Sequence, residues 1–170
     1  IAPVSEESQL AVIEGPWEVK FQEKRGAPST AAFATLTPWN ENADNGIKYF
    51  SGTGTYIKTI NAPADWFSED KELWIDLGSV KNLAEVVVNG KSAGIVWKAP
   101  FRVNIKDLLK EGENTLEFKV TNLWVNRLIG DAQPNVREKL TYTSMAYYQA
   151  DSPLQPSGLL GPISLISVTY

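Results

Sequence analysis

The chain has 170 residues, 43% hydrophobic and 21% charged, with a net charge of −4. This is the profile of one folded domain with a core of its own, and it leaves no clustered basic field for a nucleic-acid backbone. Cysteine and histidine are both absent, which removes disulfides, thiol nucleophiles, zinc ribbons, histidine-based serine triads and His-ligated metal hydrolysis together.

In chain order, Ile1-Ala2-Pro3-Val4-Ser5 opens without an initiator Met or a signal pattern. Residues 1–14 read as a leader or linker and the chain as a piece of something longer. Residues 15–170 read as one domain. The first strand is expected at 15–21, where Trp17, Val19 and Phe21 alternate with Glu18 and Lys20. Residues 24–46 are rich in Gly, Pro, Asn and Asp and read as a loop with one short strand at 32–36. Within it, Asn40-Glu41-Asn42-Ala43-Asp44-Asn45-Gly46 carries many oxygens. Its spacing is not that of an EF-hand, and Asx-type turns explain it, so no metal site is assigned.

Strands follow at 47–50, 54–60 and 72–77, with a surface loop at 63–70. The segment 84–120 then carries the strongest signal. Asn89-Gly90 between apolar runs predicts a type I′ hairpin turn, because that turn needs positive φ at both central residues. Pro100, a strand at 101–105, a helical turn at 106–110 and a second turn at 112–114 lead to a strand at 115–120. In Leu116-Glu117-Phe118-Lys119-Val120 every second residue is apolar. Residues 121–161 show neither helical nor strand period, yet they are too rich in Trp, Leu, Ile and Tyr for a disordered stretch and should pack against something. A last strand is expected at 163–169. Roughly nine or ten short strands with turn signals between them predict an all-β, antiparallel two-sheet sandwich of the jelly-roll type. No apolar run reaches the roughly 18 residues of a membrane-spanning helix.

Several motifs occur in the order of one known domain type: Tyr49-Phe50-Ser51-Gly52-Thr53-Gly54-Thr55-Tyr56, Leu73-Trp74-Ile75-Asp76-Leu77-Gly78 and Ala84-Glu85-Val86-Val87-Val88-Asn89-Gly90-Lys91. Gly94, Trp97, Pro100-Phe101, Asp107-Leu108-Leu109 and Gly112-Glu113-Asn114-Thr115-Leu116 continue it. Together they resemble the galactose-binding-like β-sandwich, or sugar-binding domain, of the family 2 glycoside hydrolases. Asn122-Leu123-Trp124-Val125-Asn126-Arg127-Leu128-Ile129-Gly130-Asp131 and Ser157-Gly158-Leu159-Leu160-Gly161-Pro162 are similar to the C-terminal part of the family 106 α-L-rhamnosidases. The resemblance implies a non-catalytic accessory module of an exported, periplasmic or extracellular, glycoside hydrolase. Its partner would be the parent's catalytic domain, which carries the catalytic carboxylates, and no cofactor is implied.

Two other readings stay open: an autonomous lectin-like domain and a small sandwich glycosidase. Glycoside hydrolysis needs two carboxylates flanking one bond, roughly 5–10 Å apart. Nothing in the sequence pairs the strand acids Glu18, Glu72, Asp76, Glu85 and Glu117; the alternation around Glu18, Glu85 and Glu117 puts those three on a wet face, and no catalytic residue is assigned. Carbohydrate contact needs flat aromatics beside planar polar groups. Trp17 and Trp74 lie in strands and are expected in the core, whereas Trp39, Trp66, Trp97 and Trp124 lie in loops or at strand ends. The site candidates, for carbohydrate or for domain docking, are Trp97, Trp124, Asn126, Arg127 and Asp131. Docking through Trp124, Val125, Leu128 and Ile129, with Arg127 and Asp131 as polar partners, is the favoured expectation.

Overall fold

The structure, a computed structural model, describes residues 5–170. Its strands are β1 (Glu6–Ile13), β2 (Trp17–Phe21), β3 (Thr30–Phe33), β4 (Thr53–Ala62), β5 (Lys71–Asp76), β6 (Ser79–Lys81), β7 (Leu83–Val88), β8 (Lys91–Val96), β9 (Arg102–Asn104), β10 (Gly112–Thr121), β11 (Gly158–Gly161) and β12 (Ile163–Thr169). Two short helices join them, α1 (Asn45–Lys48) and α2 (Val125–Asp131). One sheet has the order β3-β2-β4-β10-β7-β8 and the other β1-β12-β5-β9, with β11-β6 as a small ribbon. All registered strand pairs are antiparallel. The chain is an all-β sandwich, as the alternation predicts.

The period-2 pattern decides which side chains fill it. Trp17, Val19 and Phe21 of β2, Tyr56 of β4 and Leu116, Phe118 and Val120 of β10 are buried, and they join Leu73, Ile75, Ile163 and Leu165 of the second sheet in one core. The β7–β8 turn has φ of 51° at Asn89 and 80° at Gly90, the left-handed pair that a type I′ turn demands. The Asn89 side chain also works across the turn. Its amide donates to Leu108 O and Asn114 Oδ1, and its oxygen accepts from Thr115 N at 3.0 Å. Asn114, itself buried, donates in turn to the Lys110 and Gly112 carbonyls. Two asparagines thus knit the turns at this end of the sandwich, supplying partners that the irregular backbone lacks.

Three expectations are corrected. Residues 1–14 are not a linker throughout, since β1 runs antiparallel along β12 from Glu6↔Thr169 to Ile13↔Ile163; residues 1–4 lie outside the described residues. Most of β1 is exposed or half-exposed, with only Ile13 buried. It is an edge strand held by main-chain hydrogen bonds and so lacks a hydrophobic alternation to read. Residues 47–50 are not a strand. Asp44 caps α1 by accepting from Gly46 N at 2.7 Å, which tips Ile47 and Phe50 inward at helical spacing. Trp39 is not at the surface but fully buried among Phe21, Phe50 and Tyr56, whereas the strand residue Trp74 is only half-buried. The helix α2 and the ribbon strands β6 and β11 are additions to the elements expected from the sequence.

Candidate functional site

The candidate region begins where β10 ends. Asn122 bridges two backbones, its amide donating to Phe50 O at 2.8 Å and its oxygen accepting from Gly52 N at 3.0 Å. The Ser51 hydroxyl donates to Leu123 O at 2.8 Å and accepts from Arg127 N at 3.1 Å, so the first turn of α2 is seated on the 50–52 segment. These contacts start a helix too short for the i, i+3, i+4 spacing of Val125, Leu128 and Ile129 to stand out as a period.

Of the five sequence candidates, the structure buries three. Asn126, Arg127 and Asp131 are 2%, 6% and 5% exposed. The Asn126 amide donates to Gln155 O and its oxygen accepts from Gln155 N, both at 2.8 Å. Arg127 Nε and Asp131 Oδ1 lie 3.0 Å apart, one helical turn from each other, but the N–H does not point along the contact, so charge rather than a formed hydrogen bond holds the pair. The other Asp131 oxygen accepts from Leu140 N at 3.0 Å, from Thr141 N at 2.7 Å and from the Thr141 hydroxyl. Asn126 and Asp131 therefore supply partners to irregular backbone inside residues 132–157, where no sheet ladder does so, and Arg127 supplies the counter-charge to Asp131. Of the four apolar docking candidates, Ile129 is buried, Val125 and Leu128 are half-buried, and Trp124 stays at the surface.

Trp97 and Trp124 remain at the surface, 66% and 49% exposed. They leave the same end of the larger sheet. Val96 pairs with Ala84, Leu83 pairs with Thr121, and Trp97 and Trp124 follow just beyond. Leu83 and Leu123 are exposed beside them in sequence. The Arg25 guanidinium sits 4.7 Å over the Trp124 ring, so one face of that indole is already occupied by a cation.

The most exposed aromatics, Tyr142 and Tyr147, lie outside the five sequence candidates. After the Asp131 clamp the chain forms a strap, residues 140–150, on which Tyr142, Met145 and Tyr147 are 92%, 77% and 80% exposed. The strap has its own bonds. Thr143 Oγ1 donates to Met145 O at 2.7 Å, Tyr147 N donates to Met145 O, and Gln133 ties Ala150 O back to α2. A recess of about 340 Å³ lies between strap and helix, with Leu128, Lys139, Tyr142 and Tyr147 in its wall. The available signal was composition, since these eleven residues carry no charge in a chain that is 21% charged.

Four of the five strand carboxylates singled out in the sequence, Glu18, Glu72, Asp76 and Glu85, are engaged with cations or donors. Glu18 meets Lys20 at 3.8 Å, Glu85 meets Lys119 at 3.7 Å, and Glu72 accepts from Trp74 Nε1 at 2.8 Å. Glu7 and Asp76 flank Arg102 at 2.8 and 2.9 Å and hold its guanidinium above its ordinary pKa, Glu7 most strongly. An arginine fills the space between these two acids, so they do not face an open cleft. Asn42 and Asp44 accept from Asp44 N and Gly46 N, which is the Asx-turn arrangement. No helix among the described residues is long and apolar enough to cross a membrane.

The backbone as a whole superposes on part of a rhamnosidase from Novosphingobium sp. PP1Y with a TM-score of 0.93 and 46% identity, over 98% of this chain and 16% of that one. The likeness is to one segment of a much longer enzyme. The "Putative beta-glucuronidase" of Formosa agariphila is 37% identical over 180 aligned positions, 92% of this chain and 16% of the relative. The chain thus spans about one sixth of each of these proteins. The β-glucuronidase of Dictyoglomus thermophilum, 20% identical with a TM-score of 0.62 over 99% of this chain and 29% of that one, shares the fold alone. No family model matches the chain.

Proposed function

We propose that this chain is a non-catalytic accessory module of a larger, exported, rhamnosidase-like glycoside hydrolase, built as a galactose-binding-like jelly roll. One observation carries the reading: 46% identity holds across 98% of this chain while covering only 16% of the rhamnosidase. A module of that size leaves most of the enzyme, and room for its catalytic carboxylates, elsewhere. The local chemistry agrees, since Glu18, Glu72, Asp76 and Glu85 are each matched by a cation or a donor. The module's work is then to support the catalytic domain, its partner in the same polypeptide. Carbohydrate contact at Trp97 is a secondary role, supported by a flat indole that stands 66% exposed. The purified chain, assayed on aryl α-L-rhamnosides and β-glucuronides beside its full-length parent, is expected to turn over neither. Turnover that disappears when a single glutamate is replaced would overturn the proposal.

A further inference from the structure

We propose that the 140–150 strap, rather than the face of α2, is the surface by which this module seats on the catalytic part of its parent; the inference rests on the reading above. Three observations carry it. Tyr142, Met145 and Tyr147 place three large side chains almost wholly in solvent within six positions. Such a patch on a folded surface marks a contact site.

The strap that carries them is nevertheless fixed. Asp131 holds its first two residues, Thr143 closes its middle, and Gln133 holds its last residue. It is an exposed yet preorganised segment, which lowers the ordering cost of binding. Its composition is that of an interface centre, with tyrosine and methionine present and charge excluded for eleven residues.

The occupant is an uncharged, apolar concavity on the remainder of the same polypeptide. The matched rhamnosidase has more than four fifths of its length outside the region this chain covers, which provides such a body. A sugar site would pair its aromatics with planar polar side chains. The strap offers mainly Thr and Ser, its one planar amide, Gln149, donates back to Ala146 O, and the buried Asp131 has both oxygens engaged within the fold.

Hydrogen–deuterium exchange across 140–150, measured on this chain alone and on the full-length parent, tests the proposal. Exchange slowed by at least about tenfold in the parent, without added sugar, is expected. Replacing Tyr142, Met145 and Tyr147 together by serine should lower the parent's Tm by about 4 °C or more and move the isolated chain's by less than about 1 °C. Equal exchange in both proteins overturns the proposal. So does protection that appears only with added oligosaccharide, or protection that rises with the concentration of the isolated chain. Failure of the underlying reading would show separately, as glycosidase turnover by the isolated chain.

Discussion

Tyr56 and Trp39 lie parallel and offset in the core, ring centroids 6.3 Å apart and planes within 7°, and the indole N–H donates to the phenol oxygen at 2.6 Å. One comes from the middle of β4 and the other from a loop. The same phenol oxygen accepts from Leu159 N at 3.2 Å, so a single hydroxyl joins the larger sheet, the 38–42 turn and β11. Replacing Tyr56 by Phe keeps the ring and leaves two buried donors without a partner. The expected loss is about 2–6 kcal/mol, from roughly 1–3 kcal/mol for each of the two orphaned groups. Urea melts of the two proteins measure it, and a change below about 0.5 kcal/mol would contradict the role given to the hydroxyl.

The same residue sets an alkaline limit. Burial, the largest influence, pushes the Tyr56 phenol far above its ordinary value of 10.0. Between 10.0 and the folded-state value the unfolded chain has released this proton and the folded chain keeps it, so the unfolded state binds fewer protons and stability falls as pH rises. The contribution is fully present below pH 10 and should decline by about 1.4 kcal/mol per pH unit above it. Melts from pH 9 to 11 should show that slope, and Tyr56→Phe should flatten it by about one proton.

Gly158 lies against the same indole. Its φ is +100°, and a Cβ there would stand 2.8 Å from Trp39 Nε1. Gly158→Ala combines an unfavourable backbone conformation with overpacking of a rigid ring, for an expected cost of about 2–4 kcal/mol. Thermal denaturation, with near-ultraviolet circular dichroism to follow the tryptophan, reads the effect.

Arg127 and Asp131 predict a coupling. Arg127→Met leaves a buried carboxylate without its counter-charge and should cost about 3 kcal/mol. Adding Asp131→Asn removes the stranded charge while keeping an acceptor for Leu140 and Thr141, and should recover roughly half of that loss. A double-mutant cycle by urea unfolding checks the sign. Strictly additive losses would mean that the two groups do not sense each other.

How far the sequence could be read depends on which chemistry holds each element. β2, β4 and β10 each keep one face in the core, and Asn89-Gly90 declares its turn through backbone geometry, so pattern alone finds them. β1 is held by its main chain along β12, with side chains that are mostly wet and carry no period. α2 hides for the opposite reason. Asn126, Arg127 and Asp131 are buried polar residues, so the usual split into an apolar and a polar face is lost. The same fact misdirects the site assignment, because polar groups in an irregular stretch read as surface chemistry when they serve as internal scaffolding. Trp39 shows that a loop position does not place an aromatic outside.

A chain that starts at Glu14 loses β1 and the Arg102–Glu7 contact, and leaves β12 as an open edge. Its Tm should fall by about 5–10 °C, and it should form oligomers in sedimentation runs, as unpaired edges do. Unchanged, monomeric behaviour would return residues 6–13 to the status of a dispensable arm.

The pairing of β1 with β12 also fixes how the domain responds to tension. Because the strands are antiparallel and Glu6 lies opposite Thr169, a pull applied at those two residues loads the ladder one rung at a time, beginning at Glu6 and ending at Ile13. Strands dragged past each other would resist with all rungs at once. This sandwich should peel open at low force from that seam while its larger sheet stays closed.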